Sequence, residues 1–93
     1  MVRLSASGKI AGRMEAEDGT PVVKYIDGKY QVGHIWNGEF HWSLSTLFDT
    51  WQAAIKDELA AFNFRLKGDF CWPFIQDKDG LFYKFSEMED SYN

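Results

Sequence analysis

TPVVKYIDGKYQVGHIWNGEFHWSLSTLFDTWQAAIKDELAAF, residues 20–62, decides how the chain folds. Asp27-Gly28 and Asn37-Gly38 cut its first half into three runs rich in Val, Ile, Tyr, Phe and Trp. Such residues favour strands, and Asn-Gly or Asp-Gly supplies the positive φ of a two-residue type I′ hairpin. In the second half the apolar positions are Phe48, Trp51, Ile55, Leu59 and Phe62, with Ala54 beside them. That spacing is a helical stripe. Thr46 followed by Asp49 has the form of a capping box, with Ser43 and Ser45 as rival caps. The stretch therefore reads as three antiparallel strands and one amphipathic helix.

Two-residue turns fix the register by arithmetic. Ile26 faces Lys29, Tyr25 faces Tyr30, and Val23 faces Val32. A further Asp18-Gly19 turn would pair Met14 with Val23 and Gly12 with Tyr25. One face then carries Ile10, Met14, Val23, Tyr25, Tyr30 and Val32, and the other carries Arg13, Glu15, Lys24, Lys29 and Gln31. Past Gly33 the pattern inverts, so that Ile35, Phe40 and Trp42 fall on the polar face. A glycine inside a strand often marks a bulge, and one extra residue exchanges the faces. A bulge at or near Gly33 is expected to return Ile35, Phe40 and Trp42 to the core. It would leave His34, Trp36, Glu39 and His41 facing outward.

After the helix, DFCWPFIQDKDGLFYKF (residues 69–85) reads as a hairpin. With a two- or four-residue loop, Phe70, Trp72 and Phe74 share a face with Leu81, Tyr83 and Phe85. Cys71, Ile75 and Phe82 take the other. Pro73 cannot donate to a ladder, so its strand is expected at an edge or bulged. Both faces of this hairpin are apolar, which suggests a surface that meets a second chain through Ile75, Phe82 and Trp72. The fold class is α+β: an antiparallel β-meander of about four strands, one amphipathic helix packed on one face, and a C-terminal β-hairpin. Residues 1–93 form a single domain, with 86–93 as a frayed acidic tail.

Composition narrows the function classes. The eight Phe, four Tyr and four Trp supply large buried areas for a small core. The one cysteine, Cys71, has no partner for an internal disulfide, so a reducing, cytoplasmic setting is the default. The N-terminal residues lack the apolar core of a signal peptide, and no run is long enough to span a bilayer, so no membrane association is expected. The net charge of −4 lies wholly in residues 68–93, where two lysines stand against six acids. Residues 1–67 balance at eight of each sign, so a nucleic-acid partner is possible but not favoured.

His34 and His41 are the only histidines, directly opposed across the Asn37-Gly38 turn, with Glu39 two residues from His41. Paired imidazoles beside a carboxylate can hold a metal or exchange protons. No ligand spacing of a metal motif accompanies them, and no cofactor or metal is expected. Asp77-Lys78-Asp79-Gly80 lacks the distant Glu of a calcium loop and reads as a turn. There is no nucleophile elbow, phosphate loop or dinucleotide fingerprint.

The order of three strands and a helix, with GKYQV (28–32), NG (37–38) and LFDTWQAA (47–54), resembles the small AP2-type domains and the arm-binding domains of tyrosine integrases. The resemblance spans residues 22–66 and implies DNA binding through the outer sheet face. Where those families carry many arginines, this face offers Arg13, Lys24 and Lys29 against Glu15 and Glu39.

Three functions follow in order. The first is a small non-catalytic interaction module acting as a homodimer, with His34, Trp36, Glu39, His41, Lys24 and Lys29 as the partner-binding surface. The second is a nucleic-acid-binding domain using the outer face of the three-stranded sheet. The third is a small hydrolase or nuclease dependent on the histidines.

Overall fold

The computed structural model describes residues 16–92. Strands β1 (Pro21–Ile26), β2 (Lys29–Trp36) and β3 (Glu39–Phe48) form two hairpins. Their turns are of the expected kind, with Asp27 at φ 46°, Gly28 at 86°, Asn37 at 54° and Gly38 at 78°. Register follows from them: Tyr25 pairs with Tyr30, Val23 with Val32, and His34 with His41.

The sheet is mixed, not a plain meander. Its order is β3-β2-β1-β6-β7, where β6 is Phe74–Gln76 and β7 is Phe82–Tyr83. Strand β6 runs parallel to β1, with Val22 beside Phe74 and Val23 beside Ile75. The strand expected over Ile10–Met14 lies outside the described residues. The edge of β1 that it was to take is occupied at Val22 and Val23 by β6.

The helix is shorter than its stripe. Helix α1 covers Trp51–Lys56 and a single turn, α2, covers Glu58–Ala61. Asp57 separates them in an extended conformation (φ −73°, ψ 131°), and its carboxylate accepts from the Ala60 amide at 2.9 Å. Aspartate competes for backbone donors in this way, which is why it favours caps over helix interiors. The break turns Leu59 and Phe62 outward, 66% and 73% exposed, and Ala60 and Phe64 are buried in their place. Thr50, not Thr46, caps α1, accepting from the Ala53 amide at 3.0 Å.

Two apolar clusters lie on opposite faces of the sheet. On the helix side, Val23, Val32 and Ile75 pack against Trp51, Ala54, Ile55, Ala60, Phe64 and Phe85. On the other side, Val22, Ile35 and Phe82 pack together, with Ala16, Phe40 and Phe74 against them. This explains the inversion past Gly33. The register of β2 against β3 does shift between Gln31 and Gly33. However, Gly33 pairs with Trp42 and Gln31 with Leu47, so the extra residues lie in β3, at 43–46. Strand β2 keeps its alternation, and its faces are not exchanged. Ile35 and Phe40 are instead covered on the second face, and Trp42, expected in the core, is 60% exposed.

The C-terminal strands also differ from the expected hairpin. Asp69–Phe70 (β5) pairs with Arg65–Leu66 (β4) around Lys67-Gly68, as a separate two-stranded sheet. Ile75 pairs with Tyr83 and Gln76 with Phe82 across a five-residue loop, 77–81. The odd loop length slips the register by one against an even loop, so Ile75 and Phe82 point to opposite faces and enter different clusters. Asp77 organises the loop, its carboxylate accepting from the Asp79 and Leu81 amides at 2.9 Å each. Pro73 lies buried just ahead of β6, outside the ladder, and β6 is an interior strand rather than an edge. Beyond a 3-10 turn at Phe85–Glu87, a helical turn α3 (Glu89–Tyr92) brings the Tyr92 ring onto Trp51, centroids 6.1 Å apart.

Candidate functional site

The β2–β3 hairpin carries the residues the sequence singled out. Its Asn37-Gly38 turn forces Trp36 opposite Glu39 and His34 opposite His41. Segment 18–20 braces it from β2's other side. The Ile35 amide donates to the Thr20 carbonyl at 2.9 Å, the Gly19 amide to the Ile35 carbonyl at 2.7 Å, and the Asn37 amide to the Asp18 carboxylate at 2.9 Å.

His34, Trp36, Glu39 and His41 share a sheet face with Val32, the face on which the helix packs. They lie beyond that packing. Trp36 is 52% exposed, Glu39 and His41 are exposed, and His34 is half-buried. The two imidazole rings are stacked, with centroids 6.0 Å apart and planes 23° from parallel. The Nδ1 atom of His34 lies 2.9 Å from the Ser43 hydroxyl oxygen. A hydroxyl beside an imidazole is half of a nucleophile–base pair. The other half, an acid orienting the far ring nitrogen, is missing among the described residues.

Lys24 and Lys29 lie elsewhere, on the opposite face. The Lys24 ammonium sits 5.2 Å from the centre of the Phe40 ring, a cation–π contact. Lys29 is ion-paired with Asp49, whose carboxyl is held below its ordinary value, chiefly by the hydrogen bond from Lys29 and then by its charge. The face also presents Trp42 and Leu47, 60% and 50% exposed.

Of the three residues read as an interface, Ile75 is fully buried and Phe82 is 9% exposed, both inside this chain. Trp72 alone presents surface, at 48% exposure. Its ring lies flat on Phe85, with centroids 4.1 Å apart and planes 10° from parallel, and Phe70 stands edge-on to it at 5.1 Å. Trp72 also borders an open cleft of about 240 Å³, with Pro21, Leu66, Phe74 and Cys71 among the other walls. Cys71 is a free, half-buried thiol whose sulfur lies 3.6 Å from the Asp69 carbonyl.

Sequence reasoning found the opposed histidines because a two-residue turn dictates them. It read Ser43 as a rival helix cap and not as a partner of the histidines, although Ser43 follows His41 by two and so lies on the same strand face. It missed Trp42 because the inversion was resolved on the wrong strand. Among the described residues no group of three or more His, Cys, Asp or Glu is arranged to hold a metal ion, and no helix is long and apolar enough to cross a membrane. Compared with family models, curated proteins and solved structures, the chain matches none.

Proposed function

We propose that the chain is a non-catalytic interaction module that acts as a homodimer. One observation carries the reading. Trp36, Trp42 and Trp72, three of the four tryptophans, stand about half exposed and belong to neither buried cluster. Tryptophan is costly to leave in water and is enriched where binding energy concentrates.

Trp42 lies on β3 and Trp36 on its neighbour β2, and among the described residues β3 forms one border of the sheet. A border strand offers a row of backbone donors and acceptors, and monomeric proteins blunt it with lysine, proline or brevity. Strand β7, the other border, is two residues long. Strand β3 has ten residues, of which Glu39 alone is charged, and it holds no proline or lysine. Its irregularity at 43–46 is its one blunting device. A second copy can add its own β3 antiparallel about a two-fold axis, where Trp42 and Leu47 would supply apolar contact. The interface read from the sequence thereby moves from the C-terminal hairpin to β3, with Trp72 as an outlying contact.

Size-exclusion chromatography with light scattering tests the reading. The expected mass is twice the 10.8 kDa of the chain, reduced to one chain by Trp42→Lys with an unchanged circular dichroism spectrum. A monomer at tens of micromolar would remove the dimer reading.

A second reading rests on the opposite face, where Lys24, Phe40 and Trp42 form the aromatic-and-cation pattern on which single-stranded nucleic acid stacks. Affinity for an oligonucleotide would then fall steeply with salt and with Lys24→Glu. A flat titration with DNA and RNA at low salt would end it.

A further inference from the structure

We infer that His34 and His41 form a two-imidazole chelate for a divalent transition ion of the zinc, nickel or copper class. The inference does not rest on self-association, because both ligands come from one chain.

Three observations carry it. Register sets the two imidazoles opposite each other on one sheet face, with ring centroids 6.0 Å apart, so little backbone adjustment is needed to bring them together. The hairpin that holds them is closed by a tight turn at one end and braced by Asp18, Gly19 and Thr20 along β2. The backbone beneath the pair is thus set before any ion arrives.

The second observation is the Ser43 hydroxyl, 2.9 Å from Nδ1 of His34. With Nδ1–H donating to that oxygen, the lone pair of His34 is on Nε2, the nitrogen left free for a metal. A ligating histidine is held this way, by a hydrogen bond on the nitrogen that does not ligate. Ser43 is therefore a positioning residue.

Third, His41 is exposed, so its ring can turn toward His34 without displacing packed neighbours. Imidazole nitrogens bind such ions at about 2.0–2.1 Å through a lone pair in the ring plane, so the outer ring rotates out of its near-parallel stack to close the pair around one. Since no third His, Cys, Asp or Glu among the described residues completes the set, water takes the remaining positions. Imidazole donors select zinc, nickel and copper over magnesium and calcium, which prefer oxygen.

The test is calorimetric titration of the full, tag-free chain with NiCl₂ and ZnCl₂. One ion per chain is expected, with no binding heat from MgCl₂. His41→Ala should weaken the affinity at least about tenfold, and Ser43→Ala by a smaller factor that still exceeds error. His41 is exposed, so its variant should keep the parent circular dichroism spectrum, and it decides the matter even if a His34 variant fails to fold. Binding by His41→Ala as tight as the parent's, or no nickel or zinc binding by the parent, overturns the proposal.

Discussion

The ring of Phe40 lies across the α-carbon of Gly33, with two ring carbons 2.5 Å from where a β-carbon would stand. The carbonyl oxygen of His41 blocks the same position. Gly33 is thus a place where a neighbouring strand and an aromatic ring approach the backbone closely, and a side chain added there must displace them. This packing lets Phe40 cover the second cluster beside Ile35.

Gly33→Ala should therefore destabilise the protein by about 1–3 kcal/mol or more, as overpacking does, because neither a carbonyl nor a packed ring can move aside cheaply. Gly28→Ala is the control. Nothing lies within 4 Å of its added carbon, and its φ of 86° is the only obstacle. It should cost about 1–2 kcal/mol, the penalty of the left-handed region. Urea unfolding of both variants measures the pair, and equal losses would show that both the His41 carbonyl and the Phe40 ring yield to the new methyl.

The same contact marks where local reading ended. Register around Asp27-Gly28 and Asn37-Gly38 was legible, because a two-residue turn leaves one pairing. The opposition of His34 and His41 came with it. The assignment of faces past Gly33 was not legible. Alternation separates inside from outside only when one face meets water, and here Phe74 and Phe82 help cover the second face. Those residues arrive on strands distant in sequence, one of them parallel to β1, and nothing near Val22 announces the pairing. The helical stripe failed at Asp57 for a local reason: one carboxylate found a backbone donor and ended the helix.

Asp57 supplies the second prediction. Its side chain caps α2, and its own amide closes α1 by donating to the Ala54 carbonyl. Asp57→Ala should lower stability by about 1 kcal/mol, the usual loss for a capping aspartate. Thr50→Ala should cost a similar amount at the start of α1. Chemical denaturation decides it, and an unchanged midpoint for Asp57→Ala would show that the Asp57 cap adds nothing to stability.

The Lys29–Asp49 pair gives a pH dependence of known sign. The folded-state value of Asp49 is depressed below the ordinary 3.8, first by the hydrogen bond from Lys29 and then by its charge. A depressed acid contributes stability that is present above its unfolded value and lost as pH falls through the folded value. Thermal unfolding followed from neutral pH to below the ordinary aspartate value should show an acid-side decline that Lys29→Met lessens. Both groups are exposed, so the effect is small and should shrink further in high salt. A parent and variant with superimposable acid limbs would show that the pair adds nothing in solution.

The tryptophans divide into one that holds the fold and three at the surface, and substitution should separate them. Trp51 is 6% exposed, in contact edge-on with Phe85 and stacked on Tyr92. It joins α1 to the C-terminal turns and closes the helix-side cluster. Trp51→Ala should cost about 3–5 kcal/mol through the cavity it leaves. Trp42→Ala removes a ring that is 60% in water and should stay within about 0.5 kcal/mol of the parent, measured where the protein is monomeric. If the chain pairs through β3, the Trp42→Ala loss should grow with protein concentration, because the dimer adds stability by mass action. Unfolding of both variants at two concentrations a hundredfold apart separates the terms. A concentration-independent loss of several kcal/mol at Trp42 would place that ring in the fold of the single chain and take it away from any partner.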